Sequence, residues 1–80
     1  MLISSMIVKV VPEMAEEVVL KLNKIPNVTT YGVHKENNII IVAEMETEEQ
    51  LEDLSNHITN EYDGVLNVYF TYVSSDLEER

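Results

Sequence analysis

The stretch Ile39-Ile40-Ile41-Val42-Ala43-Glu44-Met45 decides the fold, because it is the most apolar segment of the chain and predicts a well-buried strand. The preceding segment Lys35-Glu36-Asn37-Asn38 predicts a tight turn, since Asn tolerates the left-handed conformations of such turns. Val28 to His34 predicts the partner strand on the other side of that turn. After the stretch, Thr47 and Gln50 predict a capping box that opens a helix. The apolar stripe of that helix is Leu51, Leu54 and Ile58.

Further elements are predicted on both sides of this central unit. Residues Ser4 to Val11 are rich in Ile and Val and predict a first strand. Pro12 suits the first position of a helix, whose apolar stripe is Met14, Val18, Leu22 and Ile25. Asp63-Gly64 breaks the chain, and Val65 to Val73 predicts a fourth strand. The order βαββαβ predicts a ferredoxin-like α+β sandwich, in which two helices cover one face of a four-stranded antiparallel sheet.

Length and composition limit what this fold can do. Eighty residues form one small domain, predicted over residues 1–73, with residues 74–80 as a disordered tail. The absence of cysteine excludes disulfides, thiolate metal sites and a cysteine nucleophile, and two glycines cannot build a glycine-rich phosphate loop. Fifteen acidic residues against five basic ones give a net charge of −10, which repels nucleic acid and anionic membranes.

Alternation along the strands predicts which side chains face the helices and which lie on the bare face. Facing the helices, we expect Met6, Val8 and Val10, then Ile39, Ile41, Ala43 and Met45, and finally Leu66, Val68, Phe70 and Tyr72. On the bare face, we expect Ser5, Ile7, Lys9, Thr29, Tyr31, Val33, Ile40, Val42, Glu44, Asn67, Tyr69 and Thr71. An apolar centre of this kind, framed by polar groups, is typical of an interaction surface.

No pattern in the chain points to catalysis. His34 and His57 stand alone, without the spacing that metal ligands need. Ser4-Ser5 has no neighbouring base or elbow glycine, which argues against a serine nucleophile. The acidic residues after the third strand open a helix, where carboxylates are expected without a metal. We therefore predict a binding module and not an enzyme, with no cofactor and no metal.

Several occupants of the bare face remain open on pattern alone. It could hold a second copy as a weak homodimer, another chain, or a small ligand within a dimeric regulatory ferredoxin-like domain. The ligand-sensing alternative is weakened by the junction Val10-Val11-Pro12-Glu13, which lacks the glycine of such binding loops.

The chain resembles the NapD family, the cytoplasmic maturation chaperones of the periplasmic nitrate reductase. The resemblance runs from Ile3 to about Tyr72 and rests on four segments. They are Ile3-Ser4-Ser5-Met6-Ile7-Val8, Ile25-Pro26-Asn27-Val28, Ile39-Ile40-Ile41-Val42-Ala43-Glu44 and Asp63-Gly64-Val65-Leu66-Asn67-Val68.

This resemblance implies a chaperone that binds the twin-arginine signal peptide of the reductase's catalytic subunit and delays export until cofactor insertion and folding. Such a peptide joins a cationic n-region to an apolar h-region, and both fit an acidic chain with an apolar face. Glu44 is the expected arginine partner. The predicted peptide-binding residues are Ile7, Lys9, Tyr31, Ile40, Val42, Glu44 and Tyr69.

The first residues of the chain lack the features of a signal peptide, so we expect a cytoplasmic protein. Residues Met1 to Val8 are apolar, but they carry no leading positive charge and no small-residue cleavage site. Lys9 follows too early for a signal peptide or a spanning helix.

Overall fold

The computed structural model describes residues 2–75 of the chain. Six regular elements follow one another, with short 3₁₀ turns at Pro12–Met14 and Lys35–Asn37. They are β1 (Leu2–Val10), α1 (Ala15–Leu22), β2 (Val28–His34), β3 (Asn38–Met45), α2 (Glu48–Glu61) and β4 (Val65–Ser75).

The four strands form one antiparallel sheet in the order β2-β3-β1-β4. The first strand of the chain therefore lies in the centre of the sheet, between β3 and β4, while β2 and β4 form the two edges. This order and the two helices confirm the predicted ferredoxin-like α+β sandwich.

A single apolar core joins the helices to one face of the sheet. The strands contribute every second residue, and the helices contribute the stripes predicted from their periodicity. The fully buried residues with large side chains include Met6, Val8, Val10, Val18, Leu22, Ile39, Ile41, Leu51 and Ile58. Ser4 is buried with them, and its hydroxyl has no hydrogen-bond partner among the described residues, a cost that the apolar packing around it must offset.

The ends of the elements show the predicted local chemistry. The Thr47 side chain accepts a hydrogen bond from the Gln50 backbone N–H, and the Gln50 side chain accepts from Thr47, so the predicted capping box is confirmed. Asn37 has a φ of 61° in the turn before β3, the left-handed conformation that Asn tolerates. The first helix is shorter than its stripe suggested: Pro12 begins a tighter 3₁₀ turn, and the α-helix ends at Leu22, before Ile25.

The first and last strands of the chain, β1 and β4, each extend further at one end than the pattern predicted. β1 begins at Leu2 and ends at Val10, because Val11 pairs instead with the turn, its N–H donating to the Gly64 carbonyl oxygen at 2.9 Å. β4 continues through Ser75, which pairs with Leu2. Residues 76–80 of the predicted tail lie outside the described residues.

Three register shifts correct the predicted parity at the sheet edges. Val65 and Asn67 of β4 pair with the neighbouring residues Val10 and Lys9 of β1, so Leu66 is an extra residue in β4. Leu66 is exposed, although we predicted that it faces the helices. A second shift makes Thr71 an extra residue between Phe70 and Tyr72, and it places Tyr72 opposite Ser5 on the bare face, contrary to prediction.

The third shift lies in β2. Thr30 pairs with Ile41 and Val33 with Ile39, so Tyr31 and Gly32 together lie opposite Ile40. Val33 therefore shares the helix-facing register of Ile39, although we predicted it on the bare face. An extra residue has no partner of its own and reverses the alternation from one side of the bulge to the other. Leu66 is such an extra residue, and Val33 and Tyr72 each follow one.

Candidate functional site

The face of the sheet that carries no helix is the candidate site, and we call it the open face. Its side chains are those that alternate with the buried core positions, together with the side chains that the bulges redirect. They are Ile3, Ser5, Ile7, Lys9, Thr29, Tyr31, Asn38, Ile40, Val42, Glu44, Asn67, Tyr69 and Tyr72.

Two adjacent rows across the strands form an apolar and aromatic centre. In one row Ile7 lies between Ile40 and Tyr69. In the next row Ser5 lies between Val42 and Tyr72. The aliphatic side chains are half-buried by their neighbours, whereas Tyr69 is 47% and Tyr72 60% exposed at the β4 edge. This centre can bury apolar area of a partner without any change in the core.

At the opposite edge, Tyr31 continues the row of Ile7 and Ile40. It follows Thr30, whose hydroxyl donates a 2.7 Å hydrogen bond to the Asn23 side chain at the end of α1. Because Thr30 points toward the helices, alternation places Tyr31 on the open face, where it is 57% exposed. The exposed tyrosines therefore flank the aliphatic centre at both edges, and Tyr rings suit a surface that is dry in one state and wet in another.

The charged side chains of the open face lie at opposite ends. Lys9 sits in a polar row with Asn38 and Asn67, while Glu44 lies next to Ile3. Lys9 lies six positions after Ile3 on β1, which corresponds to about 20 Å along the strand. The described part of this face therefore has a basic end and an acidic end, and it can orient a partner that carries charge at one end.

The predicted site residues Ile7, Lys9, Tyr31, Ile40, Val42, Glu44 and Tyr69 all lie on this one surface. Sequence reasoning missed three further members of the open face, one of which, Asn38, it assigned to the turn before β3. Ile3 could have been found, because it has the same odd parity as Ile7 on β1. Tyr72 could not, because no residue pattern marks the bulge that redirects it.

On the helical side of the molecule, aromatic and cation–π contacts join the two helices. The His57 and Tyr62 rings meet edge to face with centroids 5.6 Å apart, and Lys21 Nζ lies 5.8 Å from the Tyr62 ring centroid. Lys21 also forms a 3.6 Å ion pair with Glu17. Burial raises the pKa of the Tyr62 hydroxyl above its usual value of 10.0, because the phenolate is poorly solvated there. These contacts join the ends of α1 and α2 away from the open face.

Within the described residues we looked for two other features, a metal site and a membrane-spanning helix. Within residues 2–75, no three His, Asp or Glu side chains come close enough together to hold a metal ion. In the same range, neither helix has the length and apolar composition needed to cross a membrane. The open face can bind a chain that is apolar along most of its length and cationic at one end.

Comparisons with known proteins agree with this fold. The family model described as NapD protein matches residues 1–76 of the chain. No curated protein matches. Among solved structures, the chain is similar to the solution structure of the E. coli Tat proofreading chaperone protein NapD, with a TM-score of 0.78. The two sequences are 23% identical, and the match covers 98% of this chain and 82% of that chain. At this identity the likeness establishes the fold that the two chains share.

Proposed function

Because the chain belongs to the NapD family, we propose that it is a cytoplasmic, non-enzymatic chaperone that binds the twin-arginine signal peptide of the catalytic subunit of a periplasmic nitrate reductase. Binding would delay export until the cofactor is inserted and the subunit has folded. The solved structure with the same fold is described as that of a Tat proofreading chaperone, which supports this class of activity.

The open face is the observation that carries the proposal. Its aliphatic and aromatic centre matches the apolar h-region of a signal peptide, and Ile7, Ile40, Val42 and Tyr69 are the anchors. Tyr31 extends this contact at the β2 edge. The separation of Lys9 from Glu44 sets the direction, because the cationic n-region favours the Glu44 end and avoids the Lys9 end.

We propose that the leader docks as an amphipathic helix across this face. A helix satisfies its own backbone hydrogen bonds, so a flat apolar face can hold it without offering a free strand edge. Glu44 is exposed and pairs with an arginine of the leader. The planar guanidinium can bind a carboxylate through two hydrogen bonds, which a lysine ammonium cannot do in the same geometry. In a ¹³C-labelled leader, helical chemical shifts in the complex are expected, and extended values would contradict this docking mode.

The test of the face is a titration with a synthetic twin-arginine leader, followed by residue-level NMR shifts of the protein. We expect Ile7→Glu or Val42→Glu to abolish binding, because each places an unpaired carboxylate under the apolar h-region. The thermal midpoint of either variant should stay nearly unchanged, since neither side chain belongs to the core.

Leu20→Glu is the matched control. Leu20 is 64% exposed on α1, so this substitution adds the same charge to an exposed apolar position away from the open face. It should leave binding intact. Equal loss in all three variants would mean that the added charge and not the face matters, and a leader that binds none of the proteins, wild type included, would refute the function itself.

A further inference from the structure

A cleft between α2 and β4, on the side of the sheet opposite the open face, has an apolar floor and an acidic rim. Its floor is formed by Leu51, Phe70 and Val73, and its rim by Glu48 and Glu52. The cleft has a volume of about 170 Å³, and a second groove that shares Glu52 and Phe70 continues it along α2 past Ser55 and Asn56. Since Leu51 is buried while Phe70 is 42% and Val73 45% exposed, the floor is accessible at the β4 edge.

The strand beside this cleft is open to a partner. β4 is an edge strand of eleven residues, and its sequence from Val65 to Ser75 contains no charged residue. Charged side chains, which protect many natural edge strands, are absent from this stretch, and the bulges at Leu66 and Thr71 are the edge protection that β4 does have. Five of the large apolar side chains that are exposed in the described residues belong to β4: Leu66, Tyr69, Phe70, Tyr72 and Val73.

The charge of the rim decides what kind of chain this is. Glu48 and Glu52 are one helical turn apart, so their carboxylates repel each other while the cleft is empty. A second copy would bring the same two carboxylates, on a chain of net charge −10, and is disfavoured. A guanidinium relieves the repulsion, can donate hydrogen bonds to both carboxylates, and can stack on the Phe70 ring.

The register places this cleft close to the acidic end of the open face. Val73 lines the cleft and pairs with Ser4, the direct neighbour of Ile3, which pairs in turn with Glu44. A chain whose n-region lies at the Glu44 end therefore meets the β4 edge where the cleft begins. The described open face has one carboxylate for two arginines, and the cleft offers two more beyond the β4 edge, which is two strand spacings, about 10 Å, from β3 and Glu44.

Resting on the proposed function, we infer that the cleft formed by Glu48, Leu51, Glu52, Phe70 and Val73 binds one of the two arginine side chains of the leader, while the other stays on the open face near Glu44. The arginine pair then straddles β4. This arrangement would explain how a short dipeptide is distinguished from the lysines that are common in n-regions, because only a planar guanidinium can stack and bridge two carboxylates together.

The experiment compares two double variants in leader binding by calorimetry. Glu48→Gln/Glu52→Gln removes the cleft carboxylates, and Glu49→Gln/Asp53→Asn removes the same charge at the same spacing from exposed α2 positions that do not line the cleft. Both proteins are expected to fold, with thermal midpoints close to each other. We expect the cleft variant to bind the leader about tenfold more weakly than the control variant.

A double-mutant cycle with leaders that carry Arg→Gln at either position completes the test. Substitution of one arginine should remove most of the difference between cleft and control variants, and Phe70→Leu should weaken binding of the arginine leader more than that of a lysine leader. If wild type and control bind the leader but the cleft variant binds equally well, or couples to neither arginine, the cleft inference is wrong while the proposed function stands. If wild type does not bind the leader, the proposed function fails first.

Discussion

Gly64 shows how one residue fixes the junction between α2 and β4. Its φ of +91° is a conformation that residues with a Cβ rarely adopt, and a Cβ there would lie 2.5 Å from the Met14 Cβ. We expect Gly64→Ala to lower the free energy of unfolding by about 2–4 kcal/mol in urea denaturation, from backbone strain and overpacking together.

Gly32→Ala separates those two causes. Gly32 has nearly the same φ, +89°, but no atom lies within 4 Å of the added Cβ, so only strain remains, about 1–2 kcal/mol. Losses of equal size at both positions would mean that Met14 moves aside without cost.

Among the elements, α2 depends most on its first turn. It begins with a capping box, and only the stripe of Leu51, Leu54 and Ile58 is buried against the sheet. Thr47→Ala should therefore cost about 1 kcal/mol of stability, measured by urea denaturation, because one helix N–H loses its acceptor. The control is Thr59→Ala in the same helix, whose hydroxyl donates to the Ser55 carbonyl oxygen at 2.8 Å without capping anything. If Thr59→Ala lowers the free energy of unfolding as much as Thr47→Ala does, the capping box has no special role.

The strands show which part of the fold is visible in the sequence. The central strands β1 and β3 could be predicted with their facing residues, because burial on one face and two neighbouring strands leave a strict alternation. The edge strands could be predicted only in part, because extra residues interrupt them at Leu66 and Thr71 in β4 and at Tyr31-Gly32 in β2. Tyr31 and Tyr69 lie on the predicted face, whereas Val33 and Tyr72 do not. An edge strand can hold a bulge because it pairs with only one neighbour, and the types of its side chains do not show where the bulge lies. The open face was therefore predictable except where a bulge redirects a side chain, as it does at Tyr72.

At the scale of the whole molecule, the net charge of −10 acts on any basic partner before contact. Between ionic strengths of about 0.01 M and 0.15 M the screening length falls from about 30 Å to about 8 Å. The affinity for a twin-arginine leader, measured by calorimetry, should fall several-fold over this range and not collapse, since apolar contacts persist. A leader with both arginines replaced by glutamine should show a shallower slope. An affinity indifferent to salt would contradict the arginine-pairing role of the acidic residues.

The central position of β1 has a consequence for how the protein is made. Ile7 comes from the first strand to be synthesised, and its open-face neighbour Tyr69 comes from the last. A growing chain can pair β1 with β3 early, but the other side of β1 stays empty until β4 has emerged, so a pairing between the two ends of the sequence completes the sheet late. The binding surface and the finished fold thus come into being in the same step. A nascent or truncated chain has no complete surface with which to capture a client, and a client that binds only the finished form stabilises that form by mass action.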